Sequence, residues 1–245
     1  MINRVIHGDC LEEMKKIPDK SIDMILCDLP YGTTHCKWDA IIPFGPLWEQ
    51  YERIIKDNGA IVLTATQPFT SALVMSNPKL FKCEWIYNKT MLVNPAQVKK
   101  YPAKKHENVL IFCKTTPVYN PQMEMGDPYK DNRNTMRTKT GVFGEGTKKR
   151  KPIINSGERY PSSVQLFKNS NHNSLHPTQK PIELFEYLIK TYTNEGAIVL
   201  DNAAGSGTTA IAALNTGRNY ILIEKEKNYI DIINKRISEH TPLGV

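Results

Sequence analysis

Short continuous runs of apolar residues alternate along the chain with segments in which apolar residues recur at helical spacing. The runs at 22–27 and 60–65 are rich in β-branched and long aliphatic side chains, which is typical of strands buried on both faces of a sheet. Between these runs, Leu47, Tyr51 and Ile54 have the spacing of one helix face. The pattern predicts strands at 5–7, 22–27, 60–65, 83–88, 109–113, 197–200 and 220–223. It predicts helices at 11–17, 46–57, 69–75, 181–193, 208–215 and 229–237. This alternation implies an α/β fold with a mostly parallel sheet and helices on both faces.

The regular pattern breaks off between Thr116 and Ser174. Pro, Gly, Asn, Ser and Lys dominate this segment, with isolated Tyr and Phe. A structureless loop of that length is uncommon inside a compact domain, so we interpret the segment as a functional insert. We therefore expect residues 1–115 and 176–245 to form two halves of one domain, and residues 116–175 to form the insert between them.

The net charge of +7 is concentrated around this insert. Between Lys99 and Lys151 there are thirteen Lys and Arg residues and five Asp and Glu residues, a balance of +8 that leaves −1 for the rest of the chain. A local positive excess on a near-neutral scaffold is typical of a surface that binds a polyanion, although a solvated lysine-rich loop would have the same composition. The basic residues that we assign to this polyanion-binding surface are Lys99, Lys100, Arg133, Arg137, Lys148, Lys149 and Arg150.

Length and cysteine content narrow the class of protein further. A chain of 245 residues can bury a full core, and its apolar runs are far shorter than the roughly 18 residues of a membrane span. Its five cysteines are an odd number without a CxxC pair. We therefore expect reduced thiols, no metal site, no membrane association and a cytoplasmic location.

The segment Cys27-Asp28-Leu29-Pro30-Tyr31-Gly32 combines several chemically distinctive residues at the end of an apolar run. In open α/β sheets, ligands bind at the carboxyl ends of the strands. Pro30 favours an extended backbone at Leu29 and thereby orients the Leu29 carbonyl. A carboxylate, an oriented carbonyl and an aromatic ring are the groups needed to hold a flipped-out base by its exocyclic amine. On its own, the segment would also fit an ordinary turn after a strand.

A second group of residues combines a glycine-rich turn with an acid at the end of the next strand. The turn from Asp201 to Gly207 precedes the helix predicted at 208–215, and Glu224 follows the strand at 220–223. The glycines let the backbone approach a ligand, and the carboxylate can accept hydrogen bonds from both hydroxyls of a ribose. These features predict an adenosine-containing cofactor, although a tight structural turn without a ligand would share them.

Three segments together resemble the amino-group DNA methyltransferases, enzymes that methylate adenine N6 or cytosine N4. Asp28-Leu29-Pro30-Tyr31 is similar to their Asp-Pro-Pro-Tyr catalytic motif. Asp201-Asn202-Ala203-Ala204-Gly205-Ser206-Gly207-Thr208-Thr209 is similar to their S-adenosylmethionine (SAM) motif. His176-Pro177-Thr178-Gln179-Lys180-Pro181 resembles the motif that precedes the SAM motif in the β group of this family.

The order of the three segments is the circularly permuted order of the β group, with the catalytic motif first, the SAM motif last and a variable insert between them. The resemblance implies a Rossmann-like SAM-dependent methyltransferase fold with a mostly parallel seven-stranded sheet and an irregular target-recognition insert. Two residues depart from the family pattern. Leu29 replaces the first proline of the catalytic motif, which leaves the carbonyl that the family uses, and Asn202 replaces the proline after the aspartate of the SAM motif.

The strand expected next to Glu224 in an unpermuted fold would be the one at 5–7, which brings Asp9 close to the cofactor. In the family an acid at this place binds the adenine amine, and Asp9 is also well placed to cap the helix at 11–17. Thr178 and Lys180 are candidates for the methionyl carboxylate of SAM. The residues assigned to the cofactor are Asp9, Cys10, Thr178, Lys180, Asp201, Gly205, Ser206, Gly207, Thr208 and Glu224.

The catalytic residues implied by the resemblance are Asp28, Leu29, Pro30 and Tyr31. Asp28 and the Leu29 carbonyl would accept the amine hydrogens of adenine and direct its nitrogen lone pair toward the methyl group, while Tyr31 stacks on the base. The expected activity is site-specific methylation of adenine N6 in double-stranded DNA, as in restriction–modification systems. A homodimer is left open.

Three alternatives remain at this point. Cytosine N4 suits the same acceptor pair, and only family resemblance at Asp28 favours adenine. A nucleotide-dependent oxidoreductase would explain Gly205 and Glu224 but neither the catalytic motif nor the basic insert. A DNA-binding module that has lost activity would keep the fold, but the intact motifs argue against it.

Overall fold

A computed structural model describes residues 2–33, 39–131, 152–169 and 179–240 of the protein. The strands are β1 (Arg4–His7), β2 (Ile22–Cys27), β3 (Ile55–Ala65), β4 (Phe81–Lys89), β5 (His106–Phe112), β6 (Glu124–Met125), β7 (Tyr129–Asp131), β8 (Ile153–Asn155), β9 (Glu158–Arg159), β10 (Val164–Phe167), β11 (Ile198–Asp201) and β12 (Asn219–Glu224). The α-helices are α1 (Cys10–Met14), α2 (Phe44–Ile54), α3 (Phe69–Ser76), α4 (Ile182–Tyr192), α5 (Thr208–Asn215) and α6 (Lys227–Ser238). A 3₁₀ turn covers Pro95–Gln97.

Eight strands form one sheet in the order β1-β12-β11-β2-β3-β5-β4-β10. All neighbouring pairs are parallel except the two made by β5, which is antiparallel to β3 and β4. The predicted α/β class and mostly parallel sheet are therefore confirmed. The predicted number of seven strands is wrong, because β10 adds an eighth at the edge. This strand has the sequence Val-Gln-Leu-Phe, and none of its four residues is buried. It therefore lacks the continuous apolar run that predicted the other strands of the sheet.

The boundary between α2 and β3 also differs from the prediction. The helix ends at Ile54, and the strand begins at Ile55 with an extended backbone, before Asn58-Gly59 rather than after it. Ile55 pairs with Ile22 of β2, and the register then shifts before Met24 pairs with Ala60. The sheet pairing thus takes a residue that helical spacing alone assigns to the helix.

The hydrophobic core lies on both faces of the sheet. In β2, Ile25 and Cys27 pack on the side of α2 and α3, whereas Met24 and Leu26 pack on the side of α4 and α5. All four side chains are fully buried. This arrangement explains why the run at 22–27 is continuously apolar and does not alternate with polar residues.

Residues 121–162 contain a second compact unit, while residues up to 120 and from 163 onward form the first. The described residues of the second unit form two short antiparallel pairs, β6 with β9 and β7 with β8. The domain boundaries expected after 115 and 175 stay a prediction. Among the described residues, no helix is both long and apolar enough to cross a membrane.

Candidate active site

One cavity of about 390 Å³ lies at the carboxyl ends of β2, β11 and β12. Its size is within the range of pockets that bind small molecules. The predicted site residues that line it are Asp9, Cys10, Asp28, Leu29, Pro30, Tyr31, Lys180, Asp201, Gly205, Ser206, Thr208 and Glu224. The structure therefore brings the predicted catalytic and cofactor residues together. Thr178 lies outside the described residues, and Gly207 belongs to the same turn without lining the cavity.

The Asp28 carboxylate is held by three side chains. Its Oδ1 accepts hydrogen bonds from the hydroxyls of Tyr31, at 2.6 Å, and of Thr64. Its Oδ2 accepts a hydrogen bond from the Lys180 ammonium at 2.6 Å. These contacts fix the orientation of Asp28 at the end of β2 while leaving its side chain 20% exposed. A carboxylate held in this way can accept a further hydrogen bond from a ligand in the cavity.

Lys180 lies between two carboxylates in a buried position. Besides Asp28, its Nζ is 3.3 Å from Oε2 of Glu107, and Oε1 of Glu107 lies 2.5 Å from Nζ of Lys89. Burial opposes the charge of Lys180, but Asp28 and Glu107 outweigh it and raise the pKa of the ammonium above its ordinary value. Burial would likewise raise the pKa of Glu107, but Lys180 and Lys89 lower it. The four charges alternate in sign and stabilise one another.

The contact of Lys180 with Asp28 was not predicted. The ammonium donates one hydrogen bond to Asp28, whereas its contact with Glu107 is an ion pair in which Oε2 of Glu107 accepts no hydrogen bond from the described residues, so N–H groups of Lys180 remain for a ligand. The role of Lys180 at a methionyl carboxylate therefore stays a prediction, beside a second role as the counter-ion of Asp28.

The ring of Tyr31 is part-buried at the edge of the core. Its centroid lies 5.2 Å from that of Phe69 and 5.6 Å from Nζ of Lys180. Burial, and next the Asp28 charge, raise the pKa of the Tyr31 hydroxyl well above its ordinary value, so it stays protonated and donates to Asp28. Tyr31 therefore contacts the predicted catalytic carboxylate directly, and its stacking on a base stays a prediction.

Asp39 closes the loop that follows the catalytic motif. Its two carboxylate oxygens accept hydrogen bonds of 2.9 Å from the backbone N–H groups of Gly32 and Thr33. Gly32 has a φ of 68°, which a side chain would strain. Asp39 lines the same cavity and is almost fully buried. Sequence reasoning missed Asp39, because a single aspartate in a polar loop has no diagnostic spacing.

Asp201 shapes the glycine turn from within. Its carboxylate accepts hydrogen bonds from the Thr209 hydroxyl at 2.5 Å and from the Ala203 backbone N–H at 3.1 Å. Burial raises the pKa of Asp201 to about 6, although the bond from Thr209 counteracts it. Gly207 has a φ of 78°, and a Cβ there would lie 2.9 Å from Cγ1 of Ile233. The turn is thus compact, and its glycine cannot be replaced without strain.

Glu224 and Asp9 end two neighbouring parallel strands. His7 of β1 pairs with Glu224 of β12, which places Asp9 two residues beyond that register. Glu224 accepts hydrogen bonds from the backbone N–H groups of Gly205, at 2.7 Å, and Glu226, at 2.8 Å. Asp9 caps α1 by accepting from the Leu11 N–H at 3.0 Å, so the predicted capping role is confirmed.

Asn202, the departure from the family motif, has a specific partner. The Tyr51 hydroxyl donates a 2.5 Å hydrogen bond to Oδ1 of Asn202, and both residues are buried. Tyr51 was expected only as an apolar position of α2. Its hydroxyl satisfies the amide oxygen of the side chain that stands where the family has a proline, whereas the buried Nδ2 of Asn202 has no hydrogen-bond partner among the described residues.

The remaining cofactor candidates surround the same turn. Ser206 donates to Oε1 of Gln179 at 3.1 Å, and its carbonyl accepts from Arg236 at 2.5 Å. Thr208 begins α5, and Cys10 begins α1. Burial raises the pKa of the Cys10 thiol, so the side chain is a neutral part of the cavity wall.

The predicted DNA-binding residues are not assembled by the described structure. Lys99 and Lys100 are exposed in the connection between β4 and β5, directly after the 3₁₀ turn. The other predicted residues lie outside the described part of the chain; they are Arg133, Arg137, Lys148, Lys149 and Arg150.

The residues that line the cavity have the chemistry that SAM requires. Glu224 and Asp9 present carboxylate oxygens that can accept hydrogen bonds from ribose hydroxyls and an adenine amine, and Gly205 of the glycine turn lies beside Glu224. Lys180 offers a cation for a carboxylate, and Asp28 offers a hydrogen-bond acceptor. Residues from both ends of the chain thus line one continuous site.

Fold and site together define a Rossmann-like α/β enzyme with a nucleotide site beside an acidic catalytic motif. Among solved structures, the M1.HpyAVI–SAM complex matches with a TM-score of 0.63 and 24% identity, covering 95% of this chain and 98% of that one. The PvuII DNA methyltransferase, described as cytosine-N4-specific, matches with a TM-score of 0.69 and 15% identity, covering 96% and 86%. These similarities confirm the predicted fold class.

The chain belongs to the N6/N4 DNA methylase family, whose model matches residues 22–235. It is 27% identical over 266 residues to the type II methyltransferase M.HinfI of Haemophilus influenzae, covering 98% of this chain and 70% of that protein. It is 29% identical over 255 residues to the DNA adenine methyltransferase YhdJ of Escherichia coli (strain K12), covering 95% and 82%. The predicted family, DNA methyltransferase activity and SAM cofactor are confirmed.

Two residues around Asp28 were missed by sequence reasoning although a signal was present. Thr64 is the one polar residue in the apolar run at 60–65, close to the carboxyl end of its strand. Glu107 lies two residues before the apolar part of β5, which begins at Val109. A polar residue at such a position is costly unless it has a buried partner, which marks it for closer attention.

Proposed function

We propose that this DNA methylase transfers a methyl group from SAM to N6 of adenine in double-stranded DNA. The observation that carries the proposal is the Asp28 carboxylate, which three side chains fix in the wall of a cavity that is also lined by the acids Glu224 and Asp9. An amine acceptor and a nucleoside site thus lie in one cavity. This is the arrangement that methyl transfer between a cofactor and an exocyclic amine requires.

The target amine is a weak nucleophile because its lone pair is delocalised into the purine ring. Asp28 and the Leu29 carbonyl would accept its two hydrogens and orient the lone pair, while SAM supplies an electrophilic methyl group. As the new N–C bond forms and the S–C bond breaks, N6 loses a proton, which the Asp28 carboxylate can accept. Lys180 stabilises the negative charge of Asp28 before the transfer. Most of the rate enhancement would come from the alignment of the reacting atoms and from the placement of charges around them.

The cofactor would lie along the glycine turn. Glu224 and Asp9 would accept hydrogen bonds from the ribose and the adenine amine, and the ammonium of Lys180 would bind the methionyl carboxylate. We keep Thr178 as a further candidate for that carboxylate. Tyr31 would stack on the flipped base.

Adenine is the favoured target for two reasons. YhdJ, which is 29% identical, is named an adenine methyltransferase, and the Asp at position 28 matches the catalytic motif that favours adenine by family resemblance. Cytosine N4 is the second candidate, because its amine suits the same pair of acceptors. The relative M.HinfI, a type II methyltransferase, supports the predicted place in restriction–modification. The cytoplasmic location and a homodimer stay predictions.

Expression in cells that lack their own DNA methylation, followed by sequencing of modified bases in a plasmid, tests the proposal. The expected result is N6-methyladenine at one recurring sequence. N4-methylcytosine would replace the proposed base with the second candidate, and an unmodified plasmid would contradict both.

A further inference from the structure

The connection between β4 and β5, residues 90–105, has an unusual surface, and we call it the β4–β5 tip. Single exposed apolar residues are common on proteins, but a dense group of them marks an interaction site. Five large apolar residues of the tip are each at least 40% exposed: Met91, Leu92, Val93, Val98 and Tyr101.

Hydrogen bonds within the tip fix the conformation in which these apolar side chains are exposed. The Lys89 N–H donates to the Lys105 carbonyl at 2.6 Å, and the Val93 N–H donates to the Lys104 carbonyl at 2.9 Å. Asn94 crosses the tip, since its Oδ1 accepts from the Lys104 N–H at 2.7 Å and its Nδ2 donates to the Pro102 carbonyl at 3.0 Å. The apolar side chains are therefore presented to solvent by an ordered hairpin.

The positive charge of the tip indicates that its partner is a polyanion. Between Thr90 and Lys105 the sequence contains four lysines, Lys99, Lys100, Lys104 and Lys105, and no acidic residue. An apolar surface among cations suits a partner that offers phosphates outside and stacked rings inside. Duplex DNA has this chemistry, and proteins that bend it insert apolar side chains between base steps.

The position of the tip places it beside the catalytic motif. Because β5 is antiparallel to both β3 and β4, the ends of β3 and β4 lie at the same edge of the sheet, which is also the edge where β2 ends at Asp28. The Lys104 ammonium donates to the hydroxyl of Thr66, two residues after Thr64, which itself donates to Asp28. DNA that delivers a base to Asp28 would therefore pass the tip.

We propose that the β4–β5 tip enters the duplex next to the target base, with Met91, Leu92 and Val93 filling the space that the flipped base leaves and the lysines binding adjacent phosphates. This inference rests on the proposed function, because it presupposes a base that leaves the helix. Apolar side chains in the gap stabilise the complex with a flipped base and leave the complex with an unflipped base unchanged. Removing these side chains should therefore weaken binding only to DNA in which flipping the base is difficult.

The test compares the triple variant Met91→Ser, Leu92→Ser, Val93→Ser with the wild type and with Met75→Ser. Met75 is 72% exposed on α3, outside the tip, and serves as the matched surface control. Each protein is titrated with two duplexes that carry the sequence found by plasmid sequencing. One has 2-aminopurine at the target in a normal pair, and the other has it opposite an abasic site, where flipping needs little unpairing. Unchanged SAM binding and melting temperature verify folding.

We expect the triple variant to bind the paired duplex at least tenfold more weakly and to lose most of its 2-aminopurine fluorescence enhancement. On the abasic duplex the loss should be less than threefold, and Met75→Ser should match the wild type on both. Equal losses on both duplexes, or no loss on either, would overturn the inference. If the wild type itself gives neither fluorescence enhancement nor methylation, the proposed function fails; a normal wild type with an unaffected triple variant removes only the role of the tip.

Discussion

The Lys180 ammonium donates a 2.6 Å hydrogen bond to Oδ2 of Asp28 across 152 positions of sequence. Asp28 belongs to the catalytic motif at the end of β2, and Lys180 belongs to the segment that leads into α4 and the SAM motif. The contact therefore joins the two predicted halves of the methyltransferase domain at the predicted catalytic motif. It gives the carboxylate of Asp28 a counter-ion from the cofactor half.

Lys180→Met should impair both stability and catalysis. Removing the buried cation leaves Asp28 and Glu107 as neighbouring, partly buried carboxylates, and the cost approaches at most the roughly 3–5 kcal/mol of a fully buried ion pair broken on one side. One carboxyl group will then hold a proton more tightly, so the acidic limb of the rate profile should move to higher pH. Chemical denaturation and kcat measured from pH 5 to pH 9 check both effects.

A double variant separates this charge effect from a loss of packing. Glu107→Gln, added to Lys180→Met, removes one of the two repelling carboxylates and should restore part of the stability and of the normal pH profile. If the two substitutions are simply additive, Lys180 does not act through the charge of its neighbours.

Glu224→Ala and Asp9→Ala should each raise the dissociation constant of SAM at least tenfold. Each substitution removes a charged acceptor, and hydrogen bonds to charged groups contribute about 1.5–3 kcal/mol. Glu224→Gln should weaken binding less, since it keeps one oxygen for the Gly205 N–H. Calorimetric titration with SAM measures the effect, with Glu12→Ala on the exposed side of α1 as the control. Unchanged affinity in both alanine variants would remove these strand ends from the cofactor site.

Asp201→Asn should change the pH dependence of stability. Burial raises the pKa of Asp201 from 3.8 to about 6 in the folded protein, so the folded state holds the proton more tightly than the unfolded chain. The stability contributed by this group is therefore complete below about pH 4 and is lost as the pH rises through 6. Two pKa units correspond to about 3 kcal/mol.

Because asparagine does not ionise, the free energy of unfolding of Asp201→Asn relative to the wild type should increase by about that amount between pH 4 and pH 7. Denaturant titrations at these two pH values measure it, and Asp231→Asn on the exposed side of α6 is the control. A difference that stays constant with pH would show that Asp201 is ionised throughout.

Reversing the charge of the β4–β5 tip should alter the salt dependence of DNA binding. Each phosphate contact contributes roughly −0.9 to the slope of log K against log salt, so Lys99→Glu with Lys100→Glu should flatten the slope by about 2. Lys79→Glu, before the opposite end of β4, should leave the slope unchanged. Fluorescence anisotropy between about 50 and 200 mM salt provides the slopes. An unaltered slope in the double variant would identify these lysines as a solvated surface.

The sequence predicted most of the fold because its central elements have strong local signals. The run at 22–27 gave β2, and the apolar spacing after the glycine turn gave α5 with its bounds at Thr208 and Asn215. The strand β10 had no such signal, because its pairing with β4 is decided by long-range contacts at a sheet edge. Propensity describes a strand poorly when its stability comes from its neighbours.

The sequence motifs predicted which residues form the candidate site, but not the hydrogen bonds and ion pairs between them. Asp28 and Glu224 could be found from their places after strands, and both line the cavity. The pairing of Asp28 with Thr64 and Lys180 could not be found, because both residues reach it from other strands and segments. Nothing local in a sequence distinguishes a lysine paired in the interior from one at the surface.

The central claim is that Asp28 holds and activates an adenine amine. The most direct measurement incubates the wild type and Asp28→Ala with SAM and the plasmid-derived target DNA, digests the DNA and quantifies methylated nucleosides by mass spectrometry, with calorimetry of SAM binding in parallel. We predict N6-methyladenine from the wild type, at least a thousandfold less from Asp28→Ala, and SAM affinities within about threefold of each other, since removing a group that acts in the transition state lowers the rate more than cofactor binding. Methylation by Asp28→Ala within a few-fold of the wild type would contradict the account.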